Sequence, residues 1–250
     1  NSRVIVTSRP TSRIRQIGGV PINIDEELEN IGFTSENIKS YISKFMPSNK
    51  SGEIIRFLES NKGIWGIAHI PINLELICYA WEDLSREKNY TMSKLYKEIS
   101  SKLLRRYLTK GKNKEFLSEE AEEIALDEWE ECEEIVSKLE ELAIEGMKGN
   151  EIVIGKEIVT RVLGRNTKEV LKTGIIKNMG EDVHFLHLTF QEYFAARYIA
   201  GSLEEVGSDR YKEAVELIRE HKYTPYYEVM WWYVAGVLYD RCKGAGNYSA

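Results

Sequence analysis

Phe185 to Ala200, FLHLTFQEYFAARYIA, changes its period partway along. Its first residues read as the end of a strand. Phe190, Tyr193, Phe194, Arg197 and Tyr198 then fall three or four apart, the spacing of one helix face. A strand therefore runs straight into a helix, with His187 held at the junction. Thr189-Phe190-Gln191-Glu192 fits the capping box, in which hydroxyl and carboxylate satisfy the orphan donors of a helix start. This predicts Thr189 as the N-cap, with Leu188 and Tyr193 as a hydrophobic staple. The aromatic stripe reads as core. His187 keeps two readings, a half-buried residue closing the turn or a donor aimed at an anion.

Just upstream, GIIKNMGEDVHFLHL (Gly174 to Leu188) places apolar runs on either side of a polar turn at Met179 to Asp182, a hairpin signal. Short helices are predicted before it, near Lys156 to Leu163 and Thr167 to Thr173. Helices followed by a two-stranded ribbon describe a winged helix. Further back, a long acidic helix is predicted from Ser118 to about Gly146. Its apolar positions Ile124, Ala125, Trp129, Cys132, Val136, Leu139, Leu142 and Ala143 recur every three to four residues. A charged, solvated back on a core-facing helix accounts for that pattern better than a coiled coil. Met92, Leu95, Ile99 and Leu103 give a stripe for a helix over 92–108.

Nearer the start, RVIVT (Arg3 to Thr7) reads as a buried parallel strand, and a second short strand is predicted near Leu28 to Ile31. Ile38, Tyr41, Ile42 and Phe45 predict one helix, and Ile54, Phe57 and Leu58 another. Pro71 interrupts an apolar run, and Asn73 is the predicted cap of a helix from Leu74 to about Asp83. EKNY (Glu87 to Tyr90) reads as a connector. YTPYYEVMWWYVAGVLYD (Tyr223 to Asp240) is very aromatic and reads as buried against more chain, so the sequence is expected to be a piece of something longer.

Composition narrows the function. The 250 residues are 42% hydrophobic and 30% charged, with net charge −6. That balance fits a globular protein and argues against nucleic acid as the main partner. No apolar run reaches the roughly 18 residues of a membrane span. Cys78, Cys132 and Cys242 are far apart and form no Cys-x-x-Cys pair, which points away from structural zinc and from a disulfide framework. A reducing compartment, the cytoplasm, is expected.

In order and spacing, VIVTSRP (Val4 to Pro10), IGFTSENIKSYISKF (Ile31 to Phe45), HIPINLELIC (His69 to Cys78), ELAIEGM (Glu141 to Met147) and FLHLTFQEYFAA (Phe185 to Ala196) resemble the NACHT family of STAND nucleotide-binding proteins, relatives of the NOD-like receptors of innate immunity. The last stretch is the most specific. His69 and Ile70 stand where the family pattern leads one to expect a glycine. The resemblance implies a mainly α chain: an end of a parallel α/β NTPase sheet over 1–33, a helical domain over 34–90, a winged-helix domain over 91–188, and the start of a helical-repeat region over 189–250.

It also implies an ATP/ADP switch in signal transduction. Arg9 would be the sensor arginine near the γ-phosphate, Pro71 would pack on adenine, and His187 would reach the β-phosphate of ADP and latch the closed state. Homo-oligomerisation on activation is the implied output. A P-loop needs Gly-x-x-x-x-Gly-Lys-Ser/Thr. The nearest stretch, GNEIVIGKE, sets Gly149 one residue too far from Gly155 and puts Glu157 in place of the hydroxyl. Walker A and Walker B are thus expected upstream, in the P-loop core of the same protein, together with most of the ATP/ADP and Mg2+ site. The parent is expected to be a slow ATPase, and this piece inactive alone, with no catalytic residue and no resident metal of its own. Two other readings remain: a helical scaffold without a nucleotide role, and a winged-helix nucleic-acid binder using KLLRRYLTKGKNK (Lys102 to Lys114). The acidic helix that follows at once would repel phosphates in the latter.

Overall fold

The computed structural model describes residues 5, 16–17, 20–21, 25–84, 91–111 and 130–244. Of the predicted buried strand at Arg3 to Thr7 only Ile5 is described, and it has no regular structure and is exposed. Arg9 itself, the connector at Glu87 to Tyr90 and the first part of the acidic helix, 118–129, lie outside the described residues. The described chain is mainly helical, with a small three-stranded antiparallel sheet.

A two-residue strand β1 (Gln16–Ile17) pairs antiparallel with β2 (Val20–Pro21). The strand predicted near Leu28 to Ile31 does not form. That segment has no regular structure, and Leu28 and Ile31 are 84% and 73% exposed. Nothing among the described residues offers it a ladder, and a strand without a partner leaves its backbone groups to water.

Five helices follow: α1 (Ser35–Phe45), α2 (Ser48–Ser60), α3 (Lys62–Ala68), α4 (Pro71–Tyr79) and α5 (Trp81–Leu84). α1 starts at a capping box formed by Thr34 and Asn37. Its inner face buries Ile38 and Ile42, while Phe45 stays half exposed and stacks on Tyr41 at 5.4 Å. α4 begins earlier than the sequence predicted. Pro71 occupies its first turn, where a missing N–H costs no hydrogen bond. The cap is Ile70, not Asn73, and Asn73 turns inward.

α6 (Met92–Gly111) buries Leu95, Ile99 and Leu103, as their spacing predicts, and Tyr96 beside them. α7 (Glu130–Lys148) buries Cys132, Val136, Leu139, Leu142 and Ala143, while Glu133 and Glu134 are exposed on the outer back of a core helix. Strand β3 (Val153–Ile154), helix α8 (Lys156–Val162), a 3-10 turn and α9 (Thr167–Lys172) then lead to the hairpin. β4 (Ile176–Met179) and β5 (Asp182–Phe185) pair as predicted, with Ile176 opposite Phe185 and Met179 opposite Asp182. Gly180 sits between them at φ +71°, a left-handed conformation that a side chain would disfavour. β3 adds to the free edge of β5, giving the order β3-β5-β4.

The core gathers around α10 (Leu188–Glu204), which packs against α7, α6, α11 (Asp209–His221) and α12 (Glu228–Gly244). α7 and α10 approach so closely at Gly146 that a Cβ there would lie 2.5 Å from Gln191 Nε2. The Gln191 amide is fully buried and donates to the Glu151 carbonyl at 2.9 Å, closing the turn into β3. Arg197, on the same helix, meets Glu140 of α7 at 2.7 Å with both side chains mostly covered. α12 is pinned to the start of α6, where Thr91 and Ser93 hydroxyls donate to Asp240 at 3.1 and 2.9 Å. Its far side leaves Trp232 and Tyr239 61% and 44% exposed. Among the described residues no helix is long and apolar enough to cross a membrane.

Candidate functional site: the hairpin–helix corner

β5 ends at Phe185, and α10 begins at Leu188. His187 is therefore the N-cap itself, extended at φ −152° and ψ 156°. The box read at Thr189 and Glu192 does not form as predicted, because the helix starts before Thr189. The cap acceptor is the imidazole: Nδ1 takes the Thr189 backbone N–H at 3.3 Å and lies 2.9 Å from Thr189 Oγ1. The Leu188 and Tyr193 staple loses its geometry with the same shift, since Leu188 is now inside the first turn.

The Thr189 hydroxyl is engaged elsewhere in the core. The Tyr96 hydroxyl of α6 has one proton and two oxygens within reach, Asn73 Oδ1 of α4 at 2.8 Å, which can only accept, and Thr189 Oγ1 at 2.5 Å, which can do either. Asn73, Tyr96 and Thr189 are 2%, 1% and 8% exposed. Burial pushes the Tyr96 phenol well above its usual range, so it stays a neutral donor. Its ring meets Phe190 edge-on at 5.1 Å and Tyr233 of α12 edge-on at 5.2 Å. Three contacts thus run Asn73–Tyr96–Thr189–His187 and join α4, α6 and α10 at one point.

This brings two of the three sequence-selected residues into one assembly. Pro71 stands two residues before Asn73 on α4, its ring exposed. His187 ends the chain of contacts, half-buried. Arg9, the third, lies outside the described residues. Tyr96, Asn73 and Thr189 as a hydrogen-bonded set carried no local signal, because Tyr96 is 23 residues from Asn73 and 93 from Thr189.

The electrostatics at the corner are those of a neutral imidazole. Desolvation lowers the His187 pKa below its ordinary value near 6.5. A backbone N–H can only donate, so Nδ1 must accept, and the ring proton sits on Nε2. Among the described residues Nε2 has no protein partner. The corner can therefore offer one N–H donor to an acceptor arriving from outside.

Linkage gives a pH signature. The unfolded chain takes up a proton near pH 6.5 that the folded ring resists, so folding stability falls as pH drops below about 6.5. The slope levels out once pH passes the lower folded value. His187→Asn keeps a capping side chain without a titrating group. Urea midpoints measured between pH 7.5 and 5.5 are expected to fall less for that variant than for the parent chain.

Other chemistry is sparse among the described residues. No group of His, Cys, Asp and Glu there is arranged to hold a metal ion. Cys78 and Cys132 are buried free thiols, and burial pushes Cys78 up to about 12, which removes it as a nucleophile. A shallow cleft of about 270 Å3 lies away from the corner, between Lys148 of α7, Glu213, Glu216 and Glu220 of α11, and Tyr227. Compared with known proteins, the chain matches no family model and no curated sequence.

Proposed function

We propose that this chain is the lid portion of a nucleotide switch of the NACHT type, closing over ATP or ADP held on a P-loop core elsewhere in the same protein and so controlling assembly into a homo-oligomer. The observation that supports this reading most is the His187 corner: an N-cap imidazole whose Nδ1 is occupied inside the fold and whose Nε2–H is left to meet an oxygen acceptor. A hydrogen bond from that group to a phosphate oxygen is charge-assisted, the stronger class. The exposed Pro71 ring, on the helix that shares the Tyr96 network, would offer the flat apolar surface for a base. In this reading 91–188 is a winged-helix domain, 34–90 the first helical domain, 1–33 the remnant of the NTPase sheet with Arg9 as its sensor, and 189–250 the beginning of a helical region.

This chain's own share is binding and latching. The described residues supply no metal-ligand cluster, so Mg2+ would be held with the phosphates by the P-loop side. The bound nucleotide would supply the phosphate charge whose presence or loss sets the lid. The test is ADP retention by the protein that includes the P-loop, compared between the parent sequence and His187→Leu. Faster release from the variant supports the latch. Equal release, with only a change in stability, favours a helical scaffold.

A further inference from the structure

Asn30-Ile31-Gly32-Phe33-Thr34 leads the chain into α1. Its ends are settled locally: the Asn30 side-chain carbonyl accepts the Gly32 N–H at 3.0 Å, and Thr34 caps the helix. Its middle is held from 36 residues away. The Phe33 N–H donates to the His69 carbonyl at 2.7 Å, and the His69 Nδ1–H donates back to the Phe33 carbonyl at 2.5 Å. Each bond has its own proton. A carbonyl can only accept, so Nδ1 must carry the second one. The two bonds make a bridge like that between paired strands, with an imidazole N–H in the place of a backbone donor. The next backbone N–H, at Ile70, is already spent on the Ile67 carbonyl at 3.0 Å.

The approach leaves no room for a side chain at Gly32. Its φ is +75°, and a Cβ there would lie 2.3 Å from the His69 carbonyl oxygen, a backbone atom that cannot swing aside. The His69 ring is steadied edge-on by Trp65 at 6.1 Å, and the Phe33 ring packs on Tyr41 of α1 at 5.8 Å. His69 ends α3, and Pro71 opens α4 two residues later.

We infer that Gly32 and His69 are positioning residues for Pro71: they lock the segment entering α1 to the turn that launches α4, and so fix where the Pro71 ring stands. What Pro71 touches rests on the nucleotide reading; the joint itself does not. A glycine at 69, the residue type the resemblance leads one to expect in this stretch, could keep the carbonyl contact but has no ring to return the second bond. In the nucleotide reading the joint acts on the base end of the ligand, because Pro71 meets the base and His187 the phosphate.

The first measurement needs no nucleotide. Amide exchange in this chain reads the Phe33 N–H, and the nitrogen-15 spectrum of the histidine rings reads Nδ1. The parent chain is expected to show a protected Phe33 amide and a protonated Nδ1 at His69, assigned by the ring signals that vanish in His69→Asn. His69→Ala should speed Phe33 exchange about fivefold, the weight of one ordinary hydrogen bond, and shift the amide resonances of Ile70 and Ile72 on either side of Pro71. His69→Asn puts a side-chain N–H where Nδ1 stands and should restore the parent exchange rate. Gly32→Ala should speed exchange about 5- to 30-fold, the weight of a left-handed Cβ. Gly63→Ala, on α3 where a Cβ meets open space, should leave Phe33 unchanged. The second measurement compares two ligands on the P-loop-bearing protein: ADP, which carries a base, and inorganic pyrophosphate, which does not. His69→Ala should weaken ADP about fivefold and leave pyrophosphate binding as it was.

An unprotonated Nδ1 at His69 overturns the inference. So does parent-like Phe33 exchange in folded His69→Ala and Gly32→Ala, and so does a response of ADP and pyrophosphate that is alike. Should Gly32→Ala fail to fold, His69→Ala and its rescue by asparagine decide. A protein that binds neither ligand sinks the nucleotide reading, while the amide measurements still decide the joint.

Discussion

His187→Leu is expected to speed ADP release from the P-loop-bearing protein about 10- to 150-fold, the loss of one charge-assisted hydrogen bond worth about 1.5–3 kcal/mol. The size follows from position. The ring is half-buried, its Nδ1 is already satisfied by Thr189, and its Nε2 has no competing protein acceptor among the described residues. The ligand therefore gains a donor that is oriented beforehand, with little ordering left to oppose it. Leucine also removes the cap of α10, which costs about 1 kcal/mol of stability. His187→Asn separates the two effects: it keeps a cap but is too short to reach outward, so ADP release should speed up while the urea midpoint changes little. A stopped-flow chase with unlabelled ADP reads the rate, and unchanged rates in both variants would remove His187 from the ligand contact.

Phe190→Ala is expected to lower folding stability by about 3–5 kcal/mol, the range for truncating a fully buried phenylalanine. Phe190 is 0% exposed and stands where α10 meets α6, edge-on to Tyr96. Removing it opens a cavity against a ring that is itself packed on Tyr193 and Tyr233. Those aromatic contacts add to simple burial. The backbone of α10 cannot close the gap, because the Gly146–Gln191 approach to α7 and the Arg197–Glu140 pair hold the helix on its other side. The damage should spread to the corner, since Tyr96 would lose the neighbour that aims its hydroxyl at Thr189. Phe190→Leu keeps most of the volume and should cost well under half as much. Urea unfolding of the three chains measures this. A loss of less than about 1 kcal/mol in Phe190→Ala would contradict the packing described for that residue.

The helices were the most legible part of the sequence, for a plain reason. A helix that buries one face must repeat apolar residues every three to four positions, and α6, α7 and α10 do so at Leu95, Ile99 and Leu103, at Cys132, Val136 and Leu139, and at Phe190, Tyr193 and Phe194. The hairpin was legible because a tight turn needs a residue such as Gly180 that accepts a positive φ. What failed was tertiary. Thr189 has the composition of a cap, yet its hydroxyl lies in the core against Tyr96, and His187 supplies the acceptor. Asn73 likewise has the composition of a cap, yet it faces the same phenol. β3 is two residues long and exists because β5 offers it an edge, which no local pattern announces. The expected strand at Leu28 to Ile31 failed for the opposite reason, an apolar run with no ladder beside it. Of the site, the position of His187 at a sheet-to-helix corner could be read from the sequence. The Asn73–Tyr96–Thr189 contacts behind it could not.

The most direct measurement of the central claim is the His187 Nε2–H proton resonance in the P-loop-bearing protein with and without ADP. ADP is expected to bring this signal into slow exchange with solvent and to shift it downfield, as a donor newly bonded to phosphate. A resonance that stays in place on saturation with ADP would contradict it.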